Sequence, residues 1–184
     1  MTIAPPATDR VLFETSRVQV LHEKDTGYDL VTFPDPRGAV VVARRTSRGV
    51  VHFAFVSQFR HTTGAASLEF PRGGAHPGES HTQTAVRELR EETGHQVSAD
   101  RATDLGAIWP DTGILRSDTR AVLFTITNEP GQASKDKSEL DADLRVQWLN
   151  VGDVLGAIAH NKIECGYTLA AWAKVTARNL HYMP

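Results

Sequence analysis

Cysteine is nearly absent: Cys165 is the single one among 184 residues. A lone cysteine can form neither an internal disulfide nor a cysteine-based zinc site, and its scarcity suits a reducing, cytoplasmic setting. As a nucleophile it has nothing nearby in sequence to activate it. An excess of either charge is missing too. The 20 Lys and Arg against 22 Asp and Glu leave a net charge of -2, which argues against a general nucleic-acid binder. No apolar run approaches the ~18 residues needed to cross a bilayer. The stretch Met1–Arg10, with two prolines and no apolar core, does not read as a secretory signal. What is present is 40% hydrophobic and 23% charged residues, ordinary for one globular domain with a small appendage.

The first half alternates apolar and polar residues between turn signals, which predicts strands over Val11–Thr15, Val18–His22 and Tyr28–Phe33. A Pro-rich break at Pro34–Gly38 is the expected internal boundary, dividing residues 1–36 from 37–184. Beyond it, Ala39–Arg44 and Val50–Phe55 look like a hairpin. A Gly-rich stretch, Glu69-Phe70-Pro71-Arg72-Gly73-Gly74, leads to a helix with Ser80 as N-cap, Gln83 completing a capping box and Gly94 as the stop. Further strands are predicted over Thr103–Trp109, Ala121–Ile126 and Leu144–Leu149, and helices over Val151–Ala159 and Leu169–Ala177. Asn128–Asp143 reads as a long polar loop, a length often found in functional lids. Strands on both sides of a central helix, with two helices at the end, predict an α/β/α sandwich on a mixed sheet, preceded by a small N-terminal β segment.

The central helix carries Glu88, Glu91 and Glu92, whose spacings put three carboxylates on one face. Glu88 and Glu92 repel at i,i+4, and both sit near the C-terminal end, where the helix dipole already disfavours anions. A solvated acidic face is one reading of such a cluster. The other is that a hard divalent cation offsets the repulsion, since Mg2+ takes oxygen ligands and bridges carboxylates to substrate phosphates.

The wider segment runs Gly73, five residues, Glu79, seven residues, Arg87-Glu88-Leu89, one residue, Glu91-Glu92, one residue, Gly94. It resembles the box of the Nudix family, a loop-helix-loop that binds metal and diphosphate. Seven specified positions match, and a chance match in a chain this long is on the order of one in a million at ordinary residue abundances. His95 departs from the pattern, standing where the family has an aliphatic residue. The resemblance implies a Nudix-type fold and a hydrolase with Mg2+ as its ion, Mn2+ being a possible substitute. It implies Glu88, Glu91 and Glu92 as metal ligands, joined by the backbone carbonyl of Arg72. Arg87 would orient a box glutamate with Glu79 as its partner, and Glu91 would serve as a further ligand or bridge within the catalytic group.

Beyond the box, Gln58-Phe59-Arg60 and Ser67-Leu68-Glu69-Phe70-Pro71 are similar to the ADP-ribose and ADP-sugar pyrophosphatases of that family, as is Pro110, 16 residues after Gly94. This likeness implies that Arg60 and Glu69 line the site, with Pro110 and Gly113 in a turn beside it. It also implies a general base in the loop before Leu144, with Glu139 the first candidate and Asp141 the second. Since the N-terminal region has no tryptophan, the aromatics available there to stack on the base are Phe13, Tyr28 and Phe33, of which Phe33 and Tyr28 are taken as site candidates. Residues 1–36 hold too few large apolar side chains for a core of their own, so they are expected to pack on something else. The resemblance implies that this is a second subunit, in a homodimer where the segment helps to form the partner's nucleoside pocket. The expected reaction converts ADP-ribose, or a related ADP-sugar, to AMP and a sugar phosphate. The alternatives are a Nudix hydrolase of another nucleoside diphosphate sugar such as GDP-mannose and a non-catalytic nucleotide-binding module. A Nudix-fold isomerase is the third, and it would need a catalytic cysteine.

Overall fold

The unbroken apolar run Ala39-Val40-Val41-Val42-Ala43 sets the architecture, because successive residues of a strand face opposite sides of the sheet and both sides must then be covered. In a computed structural model, which describes residues 9–127 and 144–182, all five are buried. Ala39, Val41 and Ala43 pack on one face with Ala54, Val122 and Phe124, under Ala85 and Leu89 of the central helix. Val40 and Val42 turn to the other face, with Phe53, Phe55 and Leu123, beneath Val154, Ala157, Ala171, Trp172 and Val175. Two separate cores on one sheet make the α/β/α sandwich that the pattern predicted.

The strands are β1 (Arg10–Glu14), β2 (Gln19–Glu23), β3 (Tyr28–Ser47), β4 (Val50–Arg60), β5 (Ala65–Glu69), β6 (Arg72–Gly74), β7 (Thr103–Ile108), β8 (Leu115–Thr125) and β9 (Arg145–Asn150). The helices are α1 (His81–Thr93), α2 (Val151–Ala159) and α3 (Gly166–Ala177). β3 is the hub of the sheet. It runs parallel to β8 and antiparallel to β2, β4 and β6, so the sheet is mixed. The expected hairpin is there, from Arg44 opposite Phe53 to Ser47 opposite Val50. Among the described residues no helix is long and apolar enough to cross a membrane.

Several expectations need correction. The Pro34–Gly38 run does not end a strand: β3 passes straight through it. Its ladder with β8 is interrupted between Thr32 and Arg37, so the two prolines occupy a stretch where no ladder hydrogen bond is lost. The Gly-rich stretch before the helix is also strand, with Gly73 and Gly74 of β6 paired to Ala39 and Gly38. α3 begins three residues before the predicted Leu169, and β8 six residues before Ala121. The polar loop Asn128–Asp143, with Glu139 and Asp141, lies outside the described residues.

Candidate functional site

Helix α1 starts and stops as its sequence dictates. The Ser80 side chain accepts from the Gln83 backbone while the Gln83 side chain accepts from the Ser80 N–H, and Gly94 closes the helix in the left-handed conformation at φ 74°. These two ends fix the rotation of the helix, and with it the face that carries the acidic residues.

Arg87 is the centre of that face. Its Nε–H donates to Glu79 at 3.0 Å, its Nη1 to Glu88 at 2.7 Å and to Glu91 at 3.1 Å, and its Nη2 to the Gly74 carbonyl at 2.7 Å. One guanidinium therefore serves three carboxylates. Glu79 also accepts from the His76 N–H at 2.9 Å and the Thr84 hydroxyl at 3.1 Å. Burial alone would raise the Glu79 carboxyl, but the bonds from Arg87, His76 and Thr84 outweigh it and hold the group at about 2. Glu88 goes the other way. Its side chain is deeply buried, and desolvation lifts its pKa despite the opposing pull of Arg87.

Gly73 explains how a carboxylate can sit so deep. A Cβ at that position would overlap the Glu88 carboxylate, with the farther oxygen only 2.8 Å away. Gly73 is thus needed for room; it is a strand residue and does not take the left-handed conformation. Among the described residues no three His, Cys, Asp or Glu side chains are drawn together at metal-holding spacing, and Arg87 is bonded to both Glu88 and Glu91. The donor chemistry nevertheless suits a hard cation. A buried carboxylate seated in a cradle cleared by Gly73, with Glu91 beside it and Glu92 one position on, is an all-oxygen set that a divalent ion would relieve of repulsion.

A second cluster lies on the strands before the helix. Glu69, only 2% exposed, accepts two parallel bonds from Arg60 at 2.9 and 2.7 Å and a third from Arg72 Nε at 2.9 Å. Burial raises this carboxyl, but the two arginines together bring it down to about 2. The Arg60 cation also feels the negative charge of Glu92. Phe70 anchors the run: its ring stacks on Phe55 at 4.4 Å and its N–H donates to the Thr168 hydroxyl on α3 at 3.0 Å.

Beside both clusters opens a cleft of about 520 Å³, within the usual size of small-molecule sites, walled by Phe33, Arg37, Arg72, Gly73, Thr119 and Tyr167. Phe33 and Arg72 are there as site residues read from the sequence. Tyr28 and Gly113 are elsewhere, joined by a bond from the Tyr28 hydroxyl to the Gly113 carbonyl at the edge of a second cavity of about 430 Å³ with Trp109 and Arg116. The expected turn at Pro110 is present, with the Gly113 N–H donating to the Asp111 side chain at 2.7 Å. Arg60, Glu69, Pro110, Arg87, Glu88, Glu91 and Glu92 line neither cavity.

Two residues of the cleft escaped the sequence reading. Arg37 sat in a run read as a turn. It is held by Asp35 at 2.9 and 2.5 Å and donates to the Glu79 carbonyl at 2.7 Å, tying β3 to the loop before α1. Tyr167 opens α3 with its ring 5.2 Å from the Arg72 guanidinium carbon. Neither sits in a motif, and only the fold brings them near the box. His95, the departure from the family pattern, is 1% exposed and lies edge-on to Trp148 at 5.5 Å. The position keeps its packing role with an aromatic ring in place of an aliphatic chain.

Residues 33–167 match the model of the NUDIX domain. The chain belongs to the Nudix family. Among characterised relatives, the ADP-ribose pyrophosphatase of Bacillus subtilis (strain 168) is 30% identical over 134 residues, 73% of this chain and 66% of that protein. A putative nudix hydrolase 2 of Caenorhabditis elegans is 28% identical over 62% of this chain and 51% of its own length. The ADP-sugar pyrophosphatase of Mus musculus is 38% identical over a shorter 74 residues, 40% of this chain and 33% of that protein. The chain thus spans between a third and two thirds of the length of these relatives. A solved structure titled as an ADP compounds hydrolase superposes with a TM-score of 0.68 at 18% identity, covering 93% of this chain and 91% of that one, a likeness of fold. The segment Gly73–Gly94, which resembles the Nudix box, lies within the matched residues, with Glu79, Glu88 and Glu91 gathered around Arg87.

Proposed function

We propose that this Nudix protein hydrolyses the diphosphate of ADP-ribose or a related ADP-sugar, releasing AMP and a sugar phosphate, with Mg2+ as its ion and Mn2+ able to replace it. The observation that carries the reading is that the cation-rich and the anion-rich cluster both adjoin one cleft, the first through Arg72 and the second through Gly73, both of which wall it. Glu88, Glu91 and Glu92, with the Arg72 carbonyl, would hold the metal. Bound there, the ion would supply charge that screens the diphosphate oxygens and acidifies an attacking water. The chain's own residues do the rest. Arg87 keeps Glu88 and Glu91 from swinging into solvent, Glu79 orients Arg87, and Arg60 is locked by Glu69. Phe33 offers a partly exposed ring at the cleft for a base to stack on.

The proton of the attacking water goes to a carboxylate, for which Glu139 is the first candidate and Asp141 the second, on sequence alone. Substituting Glu139 by Gln should lower kcat with little change in KM, as loss of a group acting in the transition state would. The same effect in Asp141→Asn alone would move the assignment to Asp141. Residues 1–36 would complete the site of a second copy. Val11, Leu12 and Phe13 of β1 are about half exposed, an apolar edge suited to a homodimer. Light scattering at micromolar concentration tests this, and a fully active monomer would rule it out. The decisive test of substrate is a panel of ADP-ribose, GDP-mannose, NADH and nucleoside triphosphates with products identified by mass. A tenfold higher kcat/KM for GDP-mannose or a triphosphate would overturn the ADP-ribose assignment and leave the family assignment intact.

A further inference from the structure

The Arg60–Glu69–Arg72 cluster sets two guanidiniums on one carboxylate. Glu69 is a single carboxylate, and Arg60 takes both of its oxygens in a bidentate pair at 2.9 and 2.7 Å. Arg72 shares one of those oxygens through Nε alone, at 2.9 Å. Its two terminal NH2 groups make no hydrogen bond to any described residue. Glu92, the further carboxylate, lends its charge to Arg60. The other guanidinium in the cleft wall with a defined seat, Arg37, is already consumed by Asp35 and the Glu79 carbonyl. Arg72 is therefore the cleft cation that is fixed in place yet has donors to give.

Its seat is built. Glu69 holds the Nε end, and the Tyr167 ring, 5.2 Å from the guanidinium carbon, supports the flat side. A planar fork pinned at one edge and stacked on a ring suits the oxygens of a phosphate, and little rotamer freedom remains to be lost on binding. Location adds the chemical class. The next residue, Gly73, carries the cradle of Glu88, so an anion held by Arg72 lies beside the acidic face of the box.

We propose that the side chain of Arg72, seated on Tyr167 by Glu69, is a metal-independent clamp for a non-bridging oxygen of the substrate's diphosphate. This goes beyond the backbone-carbonyl role that any residue at position 72 would serve, and it rests on the diphosphate reading given above. The clamp predicts that part of the affinity for ADP survives removal of metal and depends on Arg72.

The test is calorimetric titration of ADP into the full chain in EDTA, for wild type, Arg72→Ala, Arg72→Lys and Tyr167→Leu, each checked for folding by thermal melting. Loss of charge-assisted bonds should weaken ADP by ~10- to 100-fold in Arg72→Ala. Arg72→Lys, which keeps the charge and loses the fork, should fall in between, and Tyr167→Leu should cost a few-fold. Equal ADP binding by wild type and Arg72→Ala, whether both bind or neither does, overturns the clamp. Should Arg72→Ala fail to fold, wild-type affinity in both other variants overturns it instead. Turnover of ADP-ribose is measured separately. Turnover with Arg72-independent ADP binding removes the clamp and keeps the hydrolase; Arg72-dependent binding without turnover does the reverse.

Discussion

Two ionic clusters adjoin the cleft, and they are built with opposite stoichiometry. Around Glu69 there are two guanidiniums and one carboxylate; around Arg87 there are one guanidinium and three carboxylates. The first has a cation to spare and drives its carboxyl down to about 2. The second has anions to spare, and its most buried member, Glu88, is pushed up by desolvation. The lesson is that a salt bridge by itself says little about function, and the imbalance within a cluster says more. A cation-rich cluster beside an anion-rich one suits a substrate that carries negative charge and arrives with a positive ion.

The comparison breaks most sharply on the anionic side. Glu92→Gln removes one charge and keeps the shape, so kcat should fall at least ~100-fold, about 2.7 kcal/mol of barrier. The fold should persist, because the amide leaves no cavity and repulsion with Glu88 is relieved. Near-normal turnover of this variant at saturating Mg2+ would end the role of the acidic face. The cationic side should respond in stability. Glu69→Gln leaves two partly exposed arginines facing one another, which should cost about 2 kcal/mol at neutral pH, less than a fully buried pair because water reaches both. The sign with pH follows from a folded pKa of about 2, below the usual 4.5. The stabilisation from Glu69 is complete above about 4.5 and is lost as pH falls towards 2. Denaturant titrations of wild type and variant should therefore differ by a constant amount above pH 5 and converge below it. Parallel curves down to pH 2 would show that Glu69 is not held by its arginines.

The anionic cluster could be read almost whole from the chain, because its members lie on one helix or the loop before it and helical spacing places them. The pairing of Arg87 with Glu79 was anticipated and is present at 3.0 Å. The cationic cluster was half legible. Arg60 and Glu69 were named singly, but their bond depends on the antiparallel register of β4 and β5, which pattern alone does not set. Tyr167 comes from α3, nearly 100 residues from Arg72 in sequence, and no local signal could pair them. Phe33 and Tyr28 were grouped as neighbours on a short strand. Instead they line different cavities, since an odd spacing of five along one strand puts their side chains on opposite faces. Proline was read as a strand breaker, and its tolerance at unpaired ladder positions was the rule that won.

The smallest expected effect separates room from rigidity at the seam between the clusters. In Gly73→Ala the new methyl would meet the Glu88 carboxylate. That carboxylate is the far end of a flexible side chain, so it can move aside without disturbing the backbone. Stability should change by less than about 1 kcal/mol, since no positive φ has to be strained. The displaced oxygens, however, are those proposed to hold the ion, and a shift on the order of 1 Å at such a ligand is costly to a reaction that depends on placement. The Mg2+ concentration for half-maximal activity should rise roughly tenfold, about 1.4 kcal/mol, while ADP binding in EDTA stays near wild type. That pairing of results would confine the effect to the anionic side. A variant that loses metal-free ADP binding as well would show that the two clusters move together and that Gly73 supports both.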